Sequence, residues 1–138
     1  MRILGLDVGS RRIGIALSDA GGCLAQPLQT LERRSWRQDL ASLLELVRQN
    51  QVEEVVVGYP LRLDGTVGES ARRIDRFVAR LRAMGLKVTT WDERLSSAEA
   101  DRHLRGAGLS ASRRRGVTDR VAAALVLQSY LDSGNQPG

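Results

Sequence analysis

A chain of 138 residues with 42% hydrophobic and 27% charged side chains has the size and balance of one globular domain, which commonly holds about 100 to 150 residues. Its 21 basic and 16 acidic residues leave a net charge of +5, a sign that suits a polyanionic partner such as nucleic acid. No apolar run approaches the roughly 18 residues needed to cross a bilayer, and one cysteine and one histidine exclude an intramolecular disulfide and a thiolate or imidazole zinc site, so catalysis must lean on carboxylates.

RILGLDV at residues 2–8 and IGIALS at 13–18 are short apolar runs joined by the turn-like GSRR, the pattern of a hairpin. A third strand is expected over 24–31, where Pro27 argues for a sheet edge. The period then changes. Trp36, Leu40, Leu43, Leu44 and Val47 recur at helical spacing behind Ser35, a suitable N-cap. EEVVVG at 53–58 reads as a buried strand, and Ala71, Ile74, Phe77, Val78 and Leu81 form the stripe of a second helix ended by Gly85. On that helix Arg72, Arg73 and Arg76 read as a solvated face. LKVTTWDE at 86–93 is the fifth strand, and Ser96 with Glu99 has capping-box spacing for a helix to about Gly106. GAGLSASRRRG reads as a mobile basic loop before a final helix from about Thr118 to Leu131. Residues 1–132 are expected to form the single domain and 133–138 a flexible tail. After the opening meander each new strand is reached by a right-handed helical crossover, which lays strands parallel. The expected fold is an α/β mixed five-stranded sheet flanked by helices on both faces.

Three acidic positions are out of the ordinary: Asp7 inside an apolar strand, Asp92 and Glu93 at the end of the last strand, and Asp119 at the start of the last helix. The first and fifth strands would flank the fourth, so these acids can converge. Clustered carboxylates repel unless cations bridge them, and oxygen donors suit Mg²⁺ or Mn²⁺. Two such ions can activate water for phosphodiester hydrolysis. Other readings stand beside this one: Asp119 as an acid complementing a helix N-terminus, and Asp7 as a strand-end acid paired with Arg11 or Arg12. Asp92 and Glu93 alternate in facing, so only one of them points into the site. Gly9 and its turn could instead expose amides to a phosphate, although the segment lacks both common glycine-rich phosphate motifs and leads into a strand. With aromatics at 4%, contacts to phosphates are favoured over base stacking. The arginines bordering the acids, Arg11, Arg12, Arg94, Arg113, Arg114 and Arg115, are the candidate nucleic-acid contacts. Ala122 and Ala123 share a helix face with Asp119 and let that helix approach the sheet. His103 is expected on a helix surface, and Cys23 as a small apolar filler.

Four blocks, LGLDVGSRRIGIALSD at 4–19, VVVGYPLRLDGTVGESA at 55–71, WDERLSSAEA at 91–100 and TDRVAAALVLQSYLD at 118–132, resemble in order and spacing the YqgF (RuvX) family of Holliday-junction-resolvase-like nucleases. The resemblance implies an RNase H-like sheet of order 3-2-1-4-5 with strand 2 antiparallel to the rest. It also implies a metal-dependent site of Asp7, Glu93 and Asp119, with Glu93 the acid of DER. The activity it implies is that of a Mg²⁺ or Mn²⁺ endonuclease maturing the 5′ end of pre-16S rRNA. A cytoplasmic location is expected because the N-terminus enters a strand-like run without the apolar segment of a secretory signal, and a monomer or weak homodimer without a membrane partner is expected. Alternatives are a resolvase of branched DNA, which needs a dimer for paired cuts, and a non-catalytic RNA-binding or transcription-associated module. A nucleotide-binding protein of the actin and sugar-kinase type normally needs two such domains. DERLSS in place of the commoner DERLTT, and RRRGVTD before the last helix, are departures that remove no candidate acid.

Overall fold

Three antiparallel strands, β1 (Arg2–Val8), β2 (Arg12–Ser18) and β3 (Ala25–Glu32), open the chain. They are followed by α1 (Trp36–Gln49), β4 (Val52–Tyr59), α2 (Glu69–Ala83), β5 (Val88–Asp92) and α3 (Ala111–Asp132). These elements come from a computed structural model, which describes residues 2–60, 68–92 and 111–133, with side chains of the last segment from 117. Glu93, Arg94, His103, the expected helix after Ser96 and the tail beyond Ser133 lie outside the described residues. The sheet has the order β3-β2-β1-β4-β5. β4 is parallel to β1 and to β5, so β2 alone runs against the rest, as expected. Pro27 sits on the edge strand, opposite Ala16 where the register shifts, so its missing N–H interrupts no regular ladder.

Strand alternation divides the core in two. Leu4, Leu6, Ile13, Ile15, Val55 and Val57 pack with Leu40, Leu43, Val47, Ile74, Phe77 and Leu81 of α1 and α2. On the other face Ile3, Ala16 and Val56 meet Ala123, Val126, Leu127 and Tyr130 of α3. The interior strand β4 is covered on both sides, which explains its unbroken Val55-Val56-Val57 run. Ala122 and Ala123 are fully buried, and the sheet answers them with glycines. A Cβ on Gly5 would stand 2.8 Å from the Leu127 Cβ, and one on Gly14 would overlap the Asp119 carbonyl. About one turn further along α3, Tyr130 donates to buried Glu54 at 2.8 Å, as does Thr89 at 2.7 Å. Burial, and then the Glu54 carboxylate, hold the Tyr130 hydroxyl above the usual tyrosine range, so it stays a donor.

Local signals behaved largely as chemistry requires. Ser35 accepts from the Gln38 N–H at 3.2 Å to cap α1. Gly85, at φ +87°, follows α2 where a side chain would be strained. Three expectations are corrected. The last helix begins at Ala111, so Arg113, Arg114 and Arg115 belong to its first turns and not to a loop. Gly116 reads as a breaker, yet one helical glycine costs only about 1 kcal/mol relative to alanine. Cys23 is exposed and fills no core. Its N–H and that of Leu24 donate to Asp19 at 2.7 and 3.2 Å, and those bonds hold the Asp19 carboxyl below its ordinary value. Trp36 is 43% exposed, and the buried stripe of α1 is Asp39, Leu40, Leu43 and Val47.

Candidate functional site

Ile3, Gly5 and Asp7 share the α3 face of β1, and Asp7 stands opposite Gly14 in the hairpin register. Because Gly14 carries no side chain, the backbone of α3 settles directly over it at Asp119. The result is that Asp7 and Asp119 line one cavity of about 280 Å³ at the carboxyl end of β1. Asp119 lies in the third turn of α3 and not at its start, so complementing the helix N-terminus is not its role. Its carboxylate accepts from the Arg12 Nε at 2.5 Å, with both side chains less than a third exposed. Arg12 is thus bound to Asp119, 107 residues away in sequence.

The cavity is rimmed by cations as well as acids. Arg73 of α2 and Arg33 line it together with the carboxylates. Arg33 is fixed on three sides: its Nε donates to Asp39 at 3.2 Å, its Nη1 to the Gly9 carbonyl at 3.0 Å, and its guanidinium lies 5.5 Å from the Phe77 ring centroid. Asp39 is almost wholly buried and also accepts the Arg34 N–H at 3.1 Å. Sequence reasoning missed Arg33. The signal available was Asp39, which lies one helical turn before Leu43 on the apolar stripe of α1, where an acid must have a partner. Gly9 gives its N–H to the Arg12 carbonyl at 2.8 Å, so that amide closes the hairpin and is not offered to an anion.

The other candidates fall as follows. Arg11 is exposed in the hairpin turn, where its carbonyl accepts the Arg33 N–H at 2.9 Å. Asp92 ends β5 opposite Tyr59. Trp91 faces α3, bonding Ser129 at 3.0 Å and meeting Tyr130 edge to face, so alternation sets Asp92 on the face away from Asp7. Among the described residues no three acids, histidines or cysteines gather as a metal centre. The two carboxylates that do share the cavity are hard oxygen donors, a set that fits Mg²⁺ or Mn²⁺ better than softer metals.

The Arg12–Asp119 contact has a measurable worth. A double-mutant cycle of Arg12→Gln and Asp119→Asn in urea should return a coupling of about 1 to 2 kcal/mol, as for a partly buried charge-assisted bond. A coupling near zero would show that Arg12 does not hold the carboxylate.

Among proteins of known sequence, the model of the RuvX family, described as Holliday junction resolvase, matches residues 1–133. A protein of Syntrophus aciditrophicus named "Putative pre-16S rRNA nuclease" is 52% identical over 137 residues, covering 99% of this chain and 91% of its own. A protein of the same name from Moorella thermoacetica is 50% identical over 139 residues, covering 100% and 99%. Among solved structures, Thermus thermophilus RuvC in complex with a Holliday junction substrate superposes with a TM-score of 0.60 at 19% identity over 97% of both chains. Fowlpox virus resolvase, in complex with Holliday junction DNA, gives 0.57 at 12% identity over 99% and 100%. At these identities the two structures establish the fold, which is that of the resolvases.

Proposed function

Since the chain belongs to the RuvX family, whose model spans residues 1–133, we propose that it is a cytoplasmic, divalent-metal-dependent endonuclease acting on structured RNA, with the 5′ end of pre-16S rRNA as its substrate. The observation that carries this is the meeting of Asp7 and Asp119, from opposite ends of the chain, in one arginine-rimmed cavity. The names of the relatives at 52% and 50% identity favour the rRNA precursor.

Glu93 is the third acid of the site. Support comes from β5, where alternation turns Asp92 away from the face of Asp7 and leaves its neighbour as the acid of that block. Asp7, Glu93 and Asp119 would hold Mg²⁺ or Mn²⁺, which supplies an activated water and a counter-charge for the leaving oxygen. The chain's own groups do the rest. Arg12 keeps the Asp119 carboxylate in one orientation. Arg33 and Arg73 bring positive charge to the cavity, where they offset the phosphate at the scissile bond. Arg11, Arg94 and Arg113 to Arg115 contact flanking phosphates.

Incubation of the purified protein with a pre-16S rRNA fragment and with a four-way DNA junction, each with Mg²⁺, Mn²⁺ or EDTA, tests the assignment. Metal-dependent cleavage of the RNA at its 5′ flank is expected. Paired cuts in the junction by a dimer would instead establish the resolvase reading, which the family's description supports. Binding without cleavage of either substrate, under both metals, would leave only a non-catalytic module.

A further inference from the structure

The exposed side of α2 is a row of cations that starts at the cavity. Arg73, Arg76 and Arg80 follow at helical spacing along one side of α2, and all three are exposed. Arg73 lines the cavity with the two carboxylates. Arg80 lies about 10 Å further along the axis at 1.5 Å per residue, a span of about three nucleotides at 3.4 Å each. There the row meets the first residue of α1. Trp36 carries the Arg80 guanidinium 4.4 Å from its ring centroid and that of Arg37 at 5.1 Å. An exposed ring flanked by two cations fixes where those charges stand. Among the described residues α2 carries two acids: Asp75, which accepts the Tyr59 hydroxyl at 3.2 Å, and Glu69, whose distances of 3.8 Å to Arg72 and 3.9 Å to Arg76 join largely solvated groups. Pairs of that kind contribute little and do not cancel the field.

We propose that Arg76, Arg80 and Arg37, the last two held against Trp36, form a second contact surface for the sugar–phosphate backbone of the substrate, leading it away from the cavity along α2. The proposal rests on the nuclease reading above. It replaces the expectation that the arginines of α2 are merely a solvated face. A polyanion of regular spacing is the occupant the surface fits, because the row of charge is itself regular and runs out of the cavity that holds the candidate catalytic acids.

The test is binding by fluorescence anisotropy, as a function of salt, to a labelled RNA stem-loop with a single-stranded flank and to a labelled four-way DNA junction. R76Q/R80Q should lower the slope of log K against log salt by about two, roughly one for each lost phosphate contact. R48Q/K87Q removes the same charge at the opposite end of the sheet and should leave the slope unchanged. Trp36→Leu alters no charge, yet should weaken binding by about two- to fivefold by freeing the two guanidinium groups. An unchanged slope in R76Q/R80Q, or an equal drop in R48Q/K87Q, overturns the proposal while wild-type cleavage keeps the nuclease reading intact. If the wild type neither binds nor cuts either probe, both fall. The loss in slope on only one probe supports the surface and identifies which nucleic acid it takes.

Discussion

Asp7→Asn should abolish cleavage, by roughly a thousandfold or more in kcat, which corresponds to about 4 kcal/mol of transition-state stabilisation. Asparagine keeps the shape of the side chain and one oxygen but removes the charge on which a hard cation depends. Folding should survive, since Asp7 is only half-buried and asparagine is nearly isosteric with it. Substrate binding should persist or tighten, because one negative charge fewer faces the phosphates. A second readout is independent of turnover. Mg²⁺ or Mn²⁺ should raise the Tm of the wild type by mass action on the folded state and have little effect on Asp7→Asn. Retained cleavage in the variant, or an equal metal-induced shift, would remove Asp7 from the site.

Gly14→Ala should be severely damaging for a single added methyl, its Cβ meeting the closest approach among the described glycines. Its Cβ would overlap the Asp119 carbonyl, and the atoms on both sides are backbone, so no side-chain rotation relieves the clash. α3 must lift from β2, loosening its packing and carrying Asp119 away from Asp7. We expect a loss of about 3 kcal/mol or more in urea denaturation, in the range of overpacked cores, together with loss of cleavage. Gly85→Ala is the comparison: nothing lies within 4 Å, but φ is +87°, so the cost is conformational and near 1 kcal/mol. Near-equal stability of the two variants would contradict the close approach of α3.

The sheet was readable in the residues because its signals are local. Alternating apolar runs, the GSRR turn, the Pro27 edge and the helical spacing of Leu40, Leu43 and Val47 need no knowledge of distant partners. Asp7 was readable too, as a charge flanked by Leu6 and Val8 that demands a partner or a function. What escaped is relational. Gly14 looks like any strand glycine until a helix from the far end of the chain lies on it. Arg33 is one arginine among twenty until a buried Asp39 and a ring face fix it at the cavity. Trp36 fell on the apolar stripe by spacing, but its ring is covered by guanidinium groups and not by core. The start of α3 was misplaced because arginines favour helix as readily as they favour solvent, and one glycine does not stop them.

The docking of α3 over Gly14 has a consequence for timing during synthesis. A nascent chain that has emerged only as far as β5 already carries Asp7, but lacks Asp119 and leaves the Ile3, Ala16 and Val56 face of the sheet bare. The candidate site is therefore assembled late: Asp7 meets Asp119 only when α3 docks and closes the fold, so on the proposed reading competence to cut would arrive in one step with that last helix.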